Sequence, residues 1–389
     1  MRHLSHDSLG VYLAVPFCRA KCSFCNFASD SFAPERMAGY VAALCSEIDS
    51  AESFAQHNGL ALPRSVDSVY LGGGTPSLLP PAMLQSIFST LRSNFHLVSN
   101  AEITMECAPG QIEDVTLEAA MQLGVSRVSL GVQSFVDRES RAVGRLHTGI
   151  QCETEIARLL SHGLDTGFDL ICGLPHQTRT SWRESIDRAI ATGAHHVSVY
   201  MLEVDEDSRL GRELIGPGVR YGAGLVPHDD TVAEMYLEAC ETLSSEGLMQ
   251  YEISNFARAG KQSLHNRKYW ERAPYLGVGL DAHSMLLHAM GRAHRFSNGD
   301  NLDEYLAHEE KTIATVDVVD EIEAYEEQVF LGLRLNDGVE TSLLCEVEEQ
   351  VRDLAKAGLL WQSDGRTGLT PHGRVVSSSV FAELLAVPA

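Results

Sequence analysis

Six short runs of β-branched and apolar residues recur along the first half of this chain, with helix-forming stretches between them. That alternation limits the fold more than any other feature. The runs occupy residues 10–15, 65–71, 102–106, 127–132, 168–172 and 197–201. Strands separated in this way imply parallel βαβ units. The first intervening helix is predicted from 34 to about 55, with proline at its start and apolar residues at helical spacing. Parallel strands joined by right-handed crossovers close, or partly close, into a barrel whose loops at the C-terminal strand ends carry the site. Four features fall at those ends. A cysteine cluster follows the first run and Gly72-Gly73-Gly74 the second, while Glu106 ends the third and Gln133 follows the fourth. The chain is therefore expected to be an α/β protein with its chemistry gathered on one face.

Beyond about residue 300 the pattern changes to an acidic stretch over 300–311 and then to helices at 321–333 and 341–357. A β-hairpin is predicted over 358–370, turning at Asp364-Gly365. The 389 residues exceed one ordinary domain, although barrels often run to about 250 residues as a unit. The expected division is a core over 1–300 and a small, mainly helical, winged-helix-like domain over 301–389. Winged helices commonly bind DNA, but 53 acidic against 30 basic side chains leave a formal charge of −23, which repels phosphate backbones. Nucleic acid is not an expected partner. No run of about 18 apolar residues is present, so no integral membrane segment is expected, and residues 1–7 lack the apolar stretch of a secretory signal. The expected location is the cytoplasm.

Nine cysteines are an odd number for a disulfide framework, and three of them, Cys18, Cys22 and Cys25, fall within eight residues. The others are scattered singly, as small buried hydrophobes are. Thiolates are soft ligands that suit iron-sulfur clusters, and a 4Fe-4S cube takes four of them. Three leave one iron open. An open iron can chelate the amino and carboxylate groups of S-adenosylmethionine (SAM) and pass an electron to its sulfonium, producing a 5'-deoxyadenosyl radical; the protein then supplies binding, orientation and exclusion of water. The competing readings are a zinc site or three unrelated cysteines. Zinc usually takes four ligands in paired spacings, and no second pair lies nearby.

With these residues in view, the chain resembles the radical SAM superfamily, and within it the oxygen-independent coproporphyrinogen III oxidase-like family. The resemblance is carried, in order, by Tyr12-Leu13-Ala14-Val15-Pro16-Phe17-Cys18, Gly72-Gly73-Gly74-Thr75-Pro76-Ser77, Gly131-Val132-Gln133-Ser134-Phe135 and Asp169-Leu170-Ile171-Cys172-Gly173-Leu174-Pro175. It implies a partial (β/α)6 TIM-like radical SAM barrel holding a 4Fe-4S cluster on Cys18, Cys22 and Cys25. The glycine-rich turn at Gly73, Gly74 and Thr75 would meet the methionyl end of SAM, since backbone N–H groups approach a ligand closely there. The resemblance places Glu106, Gln133, Arg145 and Asp169 around SAM, with Tyr12 and Phe24 flanking the cluster loop. A carboxylate would hold the SAM ammonium and Arg145 its carboxylate, a pairing that favours the guanidinium fork. The bland alternative is that these polar residues cap the helices that follow.

Two local features separate the branches of that family. The oxidases extend the triplet with a fourth cysteine two residues after the third, where this chain has Phe27. The string Cys25-Asn26-Phe27 resembles the haem chaperone branch. So does His265-Asn266-Arg267-Lys268-Tyr269-Trp270, which matches the His-Asn-x-x-Tyr-Trp motif associated with haem in that branch. By that resemblance His265 would ligate haem iron and Tyr269 and Trp270 would pack on the macrocycle. One departure is Gly277-Val278-Gly279-Leu280-Asp281-Ala282-His283-Ser284, where relatives tend to carry small residues in place of Leu280 and Asp281. The expectation is a haem chaperone, with haem, haem-accepting proteins and an electron donor for the cluster as partners; a homodimer is compatible with the sequence. The alternative is an oxygen-independent coproporphyrinogen III oxidase that decarboxylates two propionates with SAM as oxidant.

Overall fold

The computed structural model describes residues 7–206, 208–216, 218–288, 292–307 and 313–385. Segment 1–6, on which the reading of the N-terminus rests, and residues 308–312, at the end of the acidic stretch and just after it, lie outside the described residues. The six expected strands are β1 Leu9–Val15, β2 Ser65–Gly73, β3 His96–Cys107, β4 Arg127–Gln133, β5 Asp165–Cys172 and β6 His196–Met201. They pair side by side in that order, all parallel. The crossovers carry α1 Arg36–His57, α2 Pro81–Asn94, α3 Asp114–Gln122, α4 Gly149–Ser161 and α5 Arg179–Ala191. Helix α1 starts two residues after Pro34, whose carbonyl accepts from the Met37 N–H in the turn that opens it.

Alternation along the strands sorts the side chains into two compartments. Leu13, Val15, Val69, Leu71, Met105, Val128, Leu130, Phe168 and Val199 all join one apolar cluster shared with the helices. Their neighbours Tyr70, Thr104, Glu106, Ser129, Asp169, Ser198 and Tyr200 face a polar interior. The main core thus lies between sheet and helices, and the barrel lumen is lined by polar groups.

The sheet runs on at both edges without closing. Strand β7 Asn255–Ala257 pairs antiparallel with β6, while β8 Tyr275–Val278 lies parallel to β1 on the other side. Beyond β8 come β9 His283–His288, β10 Ala293–Asn298 and β11 Ile313–Val318, successively antiparallel. Leu302 and Tyr305 are buried in the main core, and β11 extends the main sheet, so residues 302–306 and 313–318 pack with the barrel. A second core then gathers Val329, Leu333, Leu344, Val351, Leu360, Leu369 and Leu384. The expected helix over 341–357 is divided into a 3-10 segment Thr341–Val347 and a helix Glu348–Lys356, with a non-helical residue at Leu344. The hairpin Leu360–Ser363 to Arg366–Leu369 turns through Asp364 and Gly365, whose φ values of 51° and 75° match a turn that follows strand twist.

Candidate functional site

The cysteine loop leaves β1 and is tied at its base. Cys18 N–H donates to Asp30 O at 3.0 Å and Asp30 N–H to Pro16 O at 3.0 Å. Inside the loop, Ser23 N–H bonds Val143 O at the end of one short helix and Leu210 N–H at the start of another bonds Ser23 O, so the triplet is held from two sides. None of the three cysteines forms a disulfide. Burial, the largest cause in each case, pushes the Cys18 and Cys25 thiols above their ordinary value.

These thiols line an open cleft enclosing about 910 Å³ at the C-terminal ends of the strands. The same cleft is lined by Phe24, Gly73, Gly74, Thr75, Glu106, Gln133, Arg145 and Asp169. Residues far apart in sequence, from Cys18 to Asp169, are thus brought to one hollow. Thr75 Oγ1 donates to Cys18 Sγ at 3.8 Å and Arg145 Nη1 to Cys22 Sγ at 3.3 Å. Glycine is required just after β2: a Cβ on Gly74 would stand 2.6 Å from Val15 O and 2.8 Å from Phe17 O, both backbone atoms. Gln133 holds φ at 67°, a left-handed conformation uncommon for a residue with a side chain.

Two carboxyls share the floor of this cleft. Burial, and then the charge of Asp169, pushes Glu106 up to about 7. Asp169 rises to about 6, again chiefly through burial. Tyr70 OH donates to Glu106 Oε1 at 2.9 Å. His147, which belongs to none of the sequence motifs, also lines the cleft; its Nε2–H donates to Val132 O at 3.0 Å, and burial lowers it to about 4. A histidine two residues after Arg145 was the only signal for it.

The His-Asn-x-x-Tyr-Trp segment lies elsewhere. It forms a seven-residue helix, Leu264–Trp270, against the N-terminal ends of β1 and β2, opposite the cysteines. Its own N-terminus is capped by Glu102, which accepts from Leu264 N–H at 2.9 Å and His265 N–H at 3.2 Å. His265 is 1% exposed. Its Nδ1 bonds Ser68 Oγ at 3.0 Å and its Nε2 bonds Tyr269 OH at 2.8 Å, so both nitrogens are engaged. Burial lowers its pKa to about 3, leaving a neutral ring between two hydroxyls. Trp270 packs under the Arg334 guanidinium, 4.2 Å from ring centroid, in the junction with the C-terminal unit. Neither His265 nor Trp270 lines the cysteine cleft, and both His265 nitrogens are taken by hydroxyls.

Tyr269 and Tyr12 line a different one. A second cleft, enclosing about 930 Å³, adjoins the first and shares Phe27, Ser29 and Gly73 with it. Its walls include Tyr12, Tyr269, Tyr275, Leu280, Asp281 and His283. Asp281 has a φ of 56°, a left-handed conformation that aspartate tolerates better than most residues with a side chain.

Residues 12–189 match the radical SAM superfamily, and 319–376 match the HemN C-terminal domain. A protein of Synechocystis named "Heme chaperone HemW" is 33% identical over 347 residues, 87% of this chain and 81% of that one. Another of the same name, from Lactococcus lactis, is 30% identical over 96% of each chain. The chain belongs to the HemW family of radical SAM proteins. A solved structure of coproporphyrinogen III oxidase (HemN) from Escherichia coli superposes with a TM-score of 0.82 at 21% identity, covering 97% of this chain and 90% of that one. That likeness shows the shared fold.

Membership of the HemW family implies a 4Fe-4S cluster and SAM, and the first cleft fits both. Three thiols on one loop provide three ligands and leave the fourth to a non-protein group. The Gln133 Oε1 and Arg145 Nε atoms are buried there without a protein partner, as expected of groups awaiting a polar ligand. Among the described residues no helix is long and apolar enough to cross a membrane.

Proposed function

We propose that this chain is a haem chaperone that binds haem and hands it to haem proteins, carrying a 4Fe-4S cluster and SAM in its first cleft. The observation that carries this reading is Phe27. It stands where the oxidases' extra cysteine would be, is 59% exposed, and forms the wall shared by the two clefts. An apolar ring on that wall suits a porphyrin face and provides no further cluster ligand. The names of the HemW relatives support the same reading along nearly the whole chain.

In this function Cys18, Cys22 and Cys25 hold the cluster, and an electron donor keeps it reduced. When bound, cluster and SAM together supply one-electron chemistry at the sulfonium. Glu106 as carboxylate holds the SAM ammonium, Arg145 pairs with the SAM carboxylate, and the Gly73–Thr75 backbone borders the methionyl end. Gln133, Asp169 and Phe24 complete the walls and limit water, while Tyr12 stands in the adjoining second cleft.

The test combines anaerobic iron and sulfide analysis, haem titration and transfer to an apo haem protein. About four irons per chain, a Soret band on titration and its transfer are expected, and a Cys18/Cys22/Cys25→Ala variant loses the cluster iron. Failure of the wild type to bind haem, or conversion of coproporphyrinogen III to protoporphyrinogen IX with SAM, would overturn the proposal.

A further inference from the structure

The second cleft contains an imidazole, His283, that has no part in the cysteine-lined cleft. His283 opens strand β9 and its side chain is 71% exposed, whereas the other histidine lining either cleft among the described residues, His147, donates Nε2–H to Val132 O. The turn that presents His283 is firmly set. Asp281 N–H donates to Gly299 O at 2.9 Å, Ala282 N–H to Gly279 O at 3.3 Å and Asn298 N–H to Ala282 O at 3.0 Å. The neighbouring strand approaches so closely that a Cβ on Gly277 would lie 2.1 Å from His283 O.

Around this imidazole the chemistry matches a metalloporphyrin. Tyr269 and Tyr275 meet edge to face with centroids 4.7 Å apart, and Leu280 and Phe27 add apolar surface. The carboxylate of Asp281 lies 4.0 Å from His283 Nε2 on the same turn, leaving the imidazole without a close protein partner at that distance. The phenols of Tyr12 and Tyr269 are poor rivals as ligands, because burial pushes both far above their ordinary value and disfavours the phenolate.

We infer that His283, rather than His265, is the side chain through which this chain ligates the iron of its haem, with the macrocycle seated in the second cleft beside the cluster loop. The inference rests on the haem-chaperone reading. It gives the His-Asn-x-x-Tyr-Trp helix a different role, in which Tyr269 forms part of the cleft wall and His265 fixes Tyr269 from behind.

The experiment titrates haemin and iron-free protoporphyrin IX into the full chain and its His283→Ala, His283→Gly and His265→Gln variants. His283→Ala should shift the Soret band and weaken haemin at least about tenfold, while protoporphyrin IX binds as in wild type. Free imidazole should restore the Soret position of His283→Gly. His265→Gln, if folded, should keep the wild-type spectrum. An unchanged His283→Ala spectrum, or equal weakening of haemin and iron-free porphyrin, overturns the ligand assignment but leaves the haem reading standing. Absence of haemin binding by wild type overturns both.

Discussion

Replacing Glu106 by glutamine should remove a pH-dependent strain from the cluster-free protein. The carboxyl sits on the floor of the first cleft, where burial and Asp169 raise it from an ordinary 4.5 to about 7. At 1.36 kcal/mol for each tenfold change, that difference corresponds to about 3 kcal/mol. Between those two pH values the folded chain keeps a proton that the unfolded chain releases. Stability from this group is therefore fully present below 4.5, declines as pH rises, and is lowest above 7. Glutamine is close in shape, still offers an oxygen to the Tyr70 hydroxyl, and does not titrate. Urea unfolding of cluster-free wild type and Glu106→Gln, followed by tryptophan fluorescence between about pH 5 and 8, should show the variant gaining up to about 3 kcal/mol on wild type across that range. Parallel profiles would refute a carboxyl raised in the folded state. SAM affinity should move the opposite way, strengthening in wild type above about pH 7 as the carboxylate forms, and Glu106→Gln should lack that rise.

Three further substitutions test the frame around the site. Lys268 is fully buried and pairs with Asp67 at 2.8 Å, so Asp67→Ala strands a buried cation and should cost about 3–5 kcal/mol in urea unfolding; a loss under about 1 kcal/mol would count against a desolvated pair. Glu327, buried between Arg272 at 2.8 Å and Arg295 at 2.7 Å, joins the C-terminal unit to the barrel. Glu327→Ala should expose the chain after Val318 to limited proteolysis, and an unaltered digestion rate would refute that role. Gly74→Ala places a Cβ against the carbonyls of Val15 and Phe17 at 2.6 and 2.8 Å; iron content after reconstitution should fall, and wild-type iron and SAM affinity would show that the loop can give way.

The parts of this fold that were legible in sequence are those governed by local rules. Strand positions could be read because outward residues such as Val69, Leu71, Val128 and Leu130 must be apolar to meet the helices. The terminal hairpin could be read because Asp364-Gly365 accepts the left-handed turn. Strand β11 escaped because its order comes from pairing with β10 across intervening chain, and no periodicity near residue 300 announces that partner. The polar lumen left a trace in the alternation Ser68-Val69-Tyr70-Leu71 and Thr104-Met105-Glu106, where every second residue avoids the apolar side.

The two candidate sites differ in the same way. The first cleft was readable because its contributors, Arg145 apart, lie within a strand or in the loop after one, and parallel pairing delivers all strand ends to one rim. The second is assembled from a β1 side chain, the cysteine loop, a short helix and the β8–β9 turn, so no single stretch of sequence carries its signature. His265 and Tyr269 stand four apart on a short helix, where side chains meet, and they bond at 2.8 Å. What spacing could not supply was Ser68, brought from β2 to take the other nitrogen. That one long-range hydrogen bond turns an imidazole with a free face into a buried strut, and it leaves the exposed ring of His283 as the nitrogen donor the second cleft can offer.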